Sequence, residues 1–243
     1  MLVTRSQVKY IQSLSHKKFR DEQGVFVAEG PKIVAELLHV AGVACRQIFA
    51  LKEWIAGMDV KGLPVQEANE ADLERLSSLS TPNQVLAVFE KPSFPAPDFN
   101  KGITLIGDGI QDPGNLGTMV RIADWFGVTG LLCSPDSADV FNAKAIQSTM
   151  GSIGRVPVIY TDPAVVVRGH PGLPVYATVL GGRNLYGMER ISGGWVIIGN
   201  ESKGIRSGLL DLATDRITIP GAGRAESLNA AVAAGIILSH LVK

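Results

Sequence analysis

Three loops rich in glycine and polar residues carry the chemical signal of this sequence. The first spans residues 108–121 (DGIQDPGNLGTMVR), the second 199–204 (GNESKG) and the third 220–229 (PGAGRAESLN). Glycine lets a backbone approach a ligand closely and offer it N–H and C=O groups, and the interspersed Asn, Glu, Ser and Arg can orient a substrate or balance its charge. Each loop alone is also explained as a tight turn, so the prediction of a binding site depends on their combination.

Motifs of several other chemistries are missing from the sequence. No G-x-G-x-x-G follows the first strand of the second half, and no G-x-x-x-x-G-K-[ST], H-E-x-x-H, C-x-x-C or G-x-S-x-G occurs. Dinucleotide, P-loop, metal-hydrolase, dithiol and serine-hydrolase chemistries are therefore disfavoured.

Length and composition predict a folded protein that resides in the cytoplasm. Of 243 residues 46% are apolar, and 23 basic residues balance 23 acidic ones, which argues against a globally basic nucleic-acid binder. The two cysteines, Cys45 and Cys133, are predicted to be free thiols in a reducing compartment. The longest apolar run, 230–238, is too short to span a membrane, and the N-terminus lacks the apolar core of a signal peptide.

A proline-rich segment divides the chain. Residues 91–100 (KPSFPAPDFN) contain three prolines, and proline fixes φ and restricts the preceding residue, which predicts an extended linker. We therefore predict a first domain over 1–90, a linker over 91–100 and a second domain over 101–243.

The second domain alternates short apolar strands with helices. We predict strands at 103–107, 130–134, 155–159, 175–179, 195–199 and 216–220, and helices at 116–126, 142–150, 207–213 and 226–241. This alternation indicates an α/β fold with a mainly parallel sheet covered on both faces. Ligands of such sheets bind beyond the carboxyl ends of the strands, where the three loops lie.

Taken together, the three loops resemble those of a known enzyme family. The sequences NLGTMVR, IIGNESKGI and IPGAGRAESLN occur in the order and at the separations typical of the SpoU (TrmH-type) branch of the SPOUT RNA methyltransferases. These enzymes transfer a methyl group from S-adenosylmethionine to a ribose 2′-hydroxyl. The pattern HKKFR…GVFVAEG also resembles the substrate-binding domain that often precedes the catalytic one, so the resemblance covers nearly the whole chain.

The resemblance implies a fold and an assembly. It implies a small α/β RNA-binding domain of the L30e-like type, followed by a SPOUT domain in which the C-terminal helix is threaded under a loop to form a deep trefoil knot. Knots are almost absent among folds, so the strand pattern itself does not predict one. The resemblance further implies a homodimer with the site near the interface, and a reaction without a metal.

The resemblance also assigns roles to individual residues. The residues that it implies to be catalytic are Asn115, Arg121, Glu201, Ser227 and Asn229. The cofactor contacts that it implies are largely made by backbone, at Gly199, Asn200, Ile219, Pro220, Leu228 and Asn229. Helix capping by Ser227 or Asn229 is an alternative role.

Arg121 is implied to lie near the attacking ribose hydroxyl. A hydroxyl is a poor nucleophile, and its proton or its developing negative charge must be managed during transfer. Because arginine stays protonated in proteins, we favour a fixed positive charge that clamps a phosphate and stabilises the developing alkoxide. A role as general base remains open.

The first twenty residues contain five basic residues and no acid. As a contact to an RNA backbone, which is largely electrostatic, this stretch would use Lys17, Lys18 and Arg20, together with Arg121 in the second domain. A solvated helix face is the alternative interpretation.

The function predicted is therefore S-adenosylmethionine-dependent 2′-O-methylation of structured RNA. Ribosomal RNA is favoured over transfer RNA because the N-terminal domain resembles the type common in enzymes that act on rRNA. One alternative is an inactive RNA-binding protein of the same fold, and another is a methyltransferase acting on small molecules or proteins.

Overall fold

The computed structural model describes residues 3–242, which divide into two compact units. The first unit runs to Ser93 and also includes Phe141–Gly154, whereas the second comprises Phe94–Val140 and the chain from Arg155 onward. Within residues 3–242, no helix has the length and apolar character needed to cross a membrane.

Up to Ser93 the chain forms a mixed sheet with helices. In order, the elements are α1 (Arg5–Ser13), α2 (Lys17–Gln23), β1 (Val25–Glu29), α3 (Pro31–Leu38), β2 (Cys45–Ala50), α4 (Lys52–Ala56), β3 (Val65–Glu67), α5 (Glu70–Leu76) and β4 (Val85–Glu90). The sheet has the order β1-β4-β2-β3, in which β4 is antiparallel to both its neighbours and β2 is parallel to β3.

From Gly102 onward, strands and helices alternate. In order, the elements are β5 (Gly102–Asp108), α6 (Pro113–Trp125), β6 (Gly130–Cys133), α7 (Ala143–Thr149), β7 (Val158–Tyr160), α8 (Pro163–Arg168), β8 (Val175–Asn184), β9 (Gly193–Gly199), α9 (Ser207–Leu210), β10 (Asp215–Thr218) and α10 (Ala230–Leu241). Short 3₁₀ turns occupy Ser152–Gly154 and Leu185–Gly187.

The sheet of the second unit is parallel throughout. Its order is β10-β8-β9-β5-β6-β7, and all five strand pairs are parallel. The central strands β5 and β9 are buried, with Leu105, Ile106 and Ile197 fully inaccessible, as expected for strands covered on both faces. The predicted α/β class with a mainly parallel sheet is confirmed.

The last helix begins later than predicted. We expected a helix from Glu226, but α10 starts at Ala230 and residues 219–229 form an irregular loop. The reason is local, because the Asn229 side chain accepts hydrogen bonds from the backbone N–H groups of Ala231 and Val232 and so caps the helix.

Both cysteines are free thiols, as predicted. Burial raises the pKa of Cys45 to about 11 and that of Cys133 to about 12. Because the thiolate is the reactive species, burial suppresses nucleophilic chemistry at both positions near neutral pH.

The segment Phe141–Gly154 belongs to the first unit, although it lies between β6 and β7 in the sequence. The Phe141 ring lies 5.3 Å from the ring of Phe26 in β1, and Gln147 in α7 donates a hydrogen bond to the carbonyl of Glu29 at 2.7 Å. The strand and helix pattern assigned this segment to the second domain, because a pattern along the chain does not reveal which strand a helix covers.

Gly151 permits the close approach of this segment to α3. Its φ is +94°, and a Cβ at this position would lie 2.4 Å from Cγ of Glu36. Both the backbone conformation and the contact therefore require glycine.

We expect Gly151→Ala to destabilise the protein more than Gly62→Ala. Both positions have positive φ, but a Cβ at Gly62 meets no atom within 4 Å, so both variants bear a backbone cost of about 1–2 kcal/mol and only the first adds overpacking of about 1–3 kcal/mol. Denaturant unfolding of the two variants measures the difference. Equal unfolding midpoints would show that the segment does not pack closely against α3.

Candidate active site

Three loops meet at the carboxyl edge of the parallel sheet. The chain leaves β5 at Asp108, β9 at Gly199 and β10 at Thr218, and each exit leads into one of the three glycine-rich loops. Because all these strands are parallel, their carboxyl ends lie at the same edge.

Hydrogen bonds join one residue from each loop. Asn115 Nδ2 donates to Glu201 Oε1 at 2.6 Å, and Asn229 Nδ2 donates to Asn115 Oδ1 at 2.8 Å. Asn115 therefore uses both ends of its amide to connect the other two side chains. The structure thus brings together three of the five residues that the family resemblance marked as catalytic.

Helix capping holds two of these three side chains in place. The Asp112 side chain accepts a hydrogen bond from the backbone N–H of Asn115 at 2.9 Å, which fixes the start of α6. Asn229 caps α10, as described above. Capping and participation in the site are thus combined in Asn229, because its oxygen serves the helix and its nitrogen serves Asn115.

The second loop closes tightly on itself. Backbone hydrogen bonds link Asn200 and Gly204 in both directions, at 3.1 and 2.9 Å. A Cβ on Gly199 would lie 2.6 Å from the carbonyl carbon of Gly204 and 2.7 Å from the nitrogen of Ile205. Only glycine fits at the base of this loop.

A cavity of about 970 Å³ opens between the second loop, the third loop and the end of β8. Its walls include most of the residues for which the resemblance implied cofactor contacts, namely Gly199, Asn200, Ile219, Pro220 and Leu228. Glu201 and Ser227 also line it, whereas Asn229 does not. Ser227 is exposed and makes no hydrogen bond with another residue of 3–242.

The end of β8 also contributes to this cavity, which the sequence pattern did not predict. Residues 178–181 line it, and the pairing of β8 with β10 shifts register so that 178–182 have no partner on β10. The signal available was the glycine pair in TVLGG, since glycine within a strand often marks a bulge.

Arg121 lies apart from this cavity within one copy of the chain. It is exposed on α6, about 9 Å along the helix axis from Asn115, and makes no hydrogen bond or ion pair with another residue of 3–242. It shares the outer side of the helix with Trp125, which is 84% exposed.

The prediction that Arg20 contacts RNA is wrong. Its side chain is buried, and Nη1 donates to the carbonyls of Leu14 and Ser15 at 2.6 and 2.7 Å, so it stabilises the turn between α1 and α2. Lys17 and Lys18 are exposed on α2, where each pairs with the acidic residue four positions further on. These two lysines remain available to an RNA phosphate, because exposed ion pairs of this kind contribute little.

Among residues 3–242, no group of three or more His, Cys, Asp or Glu side chains is arranged to hold a metal ion.

Family comparisons agree with the architecture and with the three loops. Residues 102–239 match the SpoU rRNA methylase family, and residues 5–87 match the MRM3-like substrate-binding domain. The chain belongs to the SpoU rRNA methylase family. It is accordingly an RNA ribose 2′-O-methyltransferase that uses S-adenosylmethionine, and the fold class, enzyme class and cofactor expected from the sequence are confirmed.

Individual relatives show how far the similarity extends. The 23S rRNA (guanosine(2553)-2′-O)-methyltransferase RlmP of Bacillus subtilis is 33% identical over 97% of this chain and 95% of its own length. An AdoMet-bound rRNA methyltransferase from Sinorhizobium meliloti is 31% identical, covers 99% of this chain and 96% of its own, and has a TM-score of 0.83. The TrmH/SpoU tRNA modifying enzyme of A. aeolicus is 27% identical, with a TM-score of 0.51, over 59% of this chain and 75% of its own.

We expect Gly199→Ala to weaken the binding of S-adenosylmethionine. The added methyl group must displace the loop that forms one wall of the cavity, and overpacking of this kind costs about 1–3 kcal/mol, or roughly tenfold to hundredfold in affinity. Titration calorimetry measures the effect, with Gly208→Ala as control because a Cβ there meets no atom within 4 Å. Unchanged affinity of Gly199→Ala would show that the cofactor does not bind against this loop.

Proposed function

We propose that the chain is catalytically active and methylates a ribose 2′-hydroxyl of ribosomal RNA. The observation that carries this proposal is the hydrogen-bonded set Asn115, Glu201 and Asn229, two of whose loops also form walls of the cavity. An RNA-binding protein without catalysis has no use for three polar side chains held so closely to a cofactor-sized cavity. The set therefore favours an active enzyme over the inactive alternative.

The cavity suits S-adenosylmethionine in size and chemistry. Apolar residues such as Ile198, Ile219 and Leu228 line it beside exposed backbone of the second and third loops, which matches a ligand with an aromatic base and several polar groups. When bound, this cofactor supplies an electrophilic methyl group on a sulfonium. The residues of the chain hold it, exclude water and orient the ribose hydroxyl, and orientation contributes much of the rate enhancement in such displacements.

Arg121 acts in this proposal as a fixed positive charge. Arginine stays protonated, and no acidic residue of 3–242 neutralises this one, so its charge is available to a phosphate or to the developing alkoxide. Asn115 and Glu201 define the position of the hydroxyl.

Ribosomal RNA is the favoured substrate class. The RlmP relative, which covers 97% of this chain, acts by name on 23S rRNA, and another relative is by name the mitochondrial rRNA methyltransferase 3 of Homo sapiens. The similarity to the tRNA modifying enzyme covers only 59% of the chain. Lys17 and Lys18, whose side chains are 63% and 78% exposed, are the proposed contacts to the RNA backbone.

We also propose a homodimer that covers the outer face of α6 and α10. The two helices run side by side in the same direction, since Asn115 meets Asn229 near their starts and Ile122 faces Gly235 further along. Their outer face exposes Trp125 (84%) and Val232 (50%). Large exposed aromatics of this kind are typical of protein interfaces, and a second copy seated here would lie directly beside Arg121.

Arg121→Ala is expected to nearly abolish methyl transfer while leaving cofactor binding unchanged. Loss of a charge that stabilises the transition state costs about 10²- to 10³-fold in kcat, and Arg121 does not line the cavity. The assay incubates enzyme with labelled S-adenosylmethionine and total RNA from a cell lacking the gene, and mass spectrometry identifies the methylated nucleoside.

Arg168→Ala, which removes an exposed arginine of α8, is the control for this experiment. A variant of Arg121 that lost cofactor affinity together with transfer would contradict the assigned role. Label in tRNA rather than rRNA would overturn the proposed substrate class, and a wild-type enzyme that binds cofactor but labels no RNA would favour the inactive alternative.

We expect Trp125→Glu to convert the dimer into monomers. The substitution removes the large aromatic anchor of the proposed contact and puts in its place a carboxylate that association must desolvate, which strongly disfavours the dimer. Analytical ultracentrifugation of the wild type, of Trp125→Glu and of Val165→Glu measures the mass, since Val165 is also 61% exposed but lies on α8. A wild-type monomer would overturn the proposed dimer, and dissociation by the control alone would place the interface elsewhere.

A further inference from the structure

The cofactor loop, defined as residues 199–206, is held at both ends by the turn that follows β5. At one end, Asn200 Nδ2 donates to the carbonyl of Gly109 at 2.7 Å. At the other end, the backbone N–H of Arg206 donates to Oδ2 of Asp108 at 2.8 Å. Two hydrogen bonds therefore anchor the ends of the cofactor loop to Asp108 and Gly109, which are neighbours in the first glycine-rich loop.

Asp108 is a buried carboxylate at the end of β5. It is 1% exposed, and its Oδ1 lies 3.3 Å from Nε of Arg206 in addition to the backbone contact. A buried carboxylate is costly unless a partner of opposite charge and hydrogen bonds compensate it. Arg206 supplies both, because its backbone and its side chain reach the same carboxylate.

The guanidinium of Arg206 also forms an ion pair with a second carboxylate, that of Asp136. Its Nη2 donates to Asp136, which lies just after β6 and also accepts a hydrogen bond from Ser134 Oγ at 2.8 Å. Ser134 Oγ in turn accepts the N–H of Gly109 at 2.7 Å. The hydrogen bond from Arg206 is the main reason that the pKa of Asp136 lies below its ordinary value, so the pair stays ionised throughout neutral pH.

Gly109 completes this arrangement. It has φ of +71°, and a Cβ there would lie 3.5–3.7 Å from Arg206, Asn200 and Asp136. The turn after β5 is thus surrounded by the groups that hold the cofactor loop.

None of Asp108, Asp136 and Arg206 lines the cavity, yet the loop they hold does. Glu201 follows Asn200 directly and must reach Asn115 for the hydrogen-bonded set of the site to form. A displacement of about 1 Å at a reacting centre can cost on the order of 10²-fold in rate. The position of Arg206 therefore bears on both cofactor affinity and transfer.

We infer that Arg206 is a positioning residue of this enzyme, which bridges Asp108 and Asp136 and thereby fixes the cofactor loop so that Glu201 meets Asn115. This inference rests on the proposed function only in placing the cofactor in the cavity and the reacting hydroxyl beside Glu201. Arg206 lies outside the three sequence motifs and does not line the cavity.

The test measures cofactor affinity by calorimetry for the full-length protein and its variants. We expect Arg206→Ala and Asp136→Asn to weaken binding of S-adenosylmethionine by about tenfold, and kcat for RNA methylation to fall by a further order of magnitude. Asp136→Asn keeps the ion pair between the buried Asp108 and the half-exposed Arg206 intact, so it reports on positioning even if Arg206→Ala folds poorly. Arg183→Met, which removes the exposed ion pair with Asp215, serves as the control and should change neither value.

Rescue distinguishes positioning from stability. Millimolar guanidinium should restore cofactor affinity to Arg206→Ala, because the free ion can bridge the two carboxylates, and sodium should not. Lower unfolding midpoints with unchanged affinity and kcat would overturn the inference. Failure of the wild type to methylate rRNA would instead count against the proposed function, because the affinity measurements need no RNA.

Discussion

The two hydrogen bonds made by the amide of Asn115 determine how the site is assembled. Asn115 receives a hydrogen bond from Asn229, 114 residues further along the chain, and gives one to Glu201, 86 residues further along, so three loops that are distant in sequence must adopt one mutual arrangement. An amide is suited to this task because it donates at one end and accepts at the other. The helices α6 and α10 both begin near these hydrogen bonds, which hold the starts of the two helices side by side.

The parallel sheet explains why such a meeting is available at all. Every strand of the second unit ends at the same edge, and the buried central strands β5 and β9 deliver Asp108 and Gly199 to neighbouring positions. Rigidity comes from the sheet and variability from the loops, which is the usual division in α/β enzymes. Arg206 contacts Asp108 at the end of β5 and Asp136 shortly after β6, so the cofactor loop is anchored to two strands rather than one.

Much of this was predictable from the sequence, and the failures share a cause. The apolar strands and glycine-rich loops predicted the parallel sheet and the loops at its edge, because these features depend on local pattern, whereas the individual site residues were implied by the family resemblance. Arg20 was misassigned because charge in a sequence does not reveal burial, and its guanidinium serves two carbonyls inside a turn. The role of Arg206 and the contribution of β8 to the cavity were missed because both depend on contacts between distant segments.

The placement of Phe141–Gly154 has a consequence for how the chain is made. A nascent chain folds progressively from its N-terminus as it is synthesised. All strands of the first unit's sheet have been synthesised once Ser93 has emerged. The ring contact between Phe26 and Phe141 and the hydrogen bond from Gln147 to the Glu29 carbonyl can form only later. The ribosome must therefore synthesise β5, α6 and β6 of the second unit before the first unit can complete its packing. Folding of the first unit is thus completed only after part of the second unit has been made.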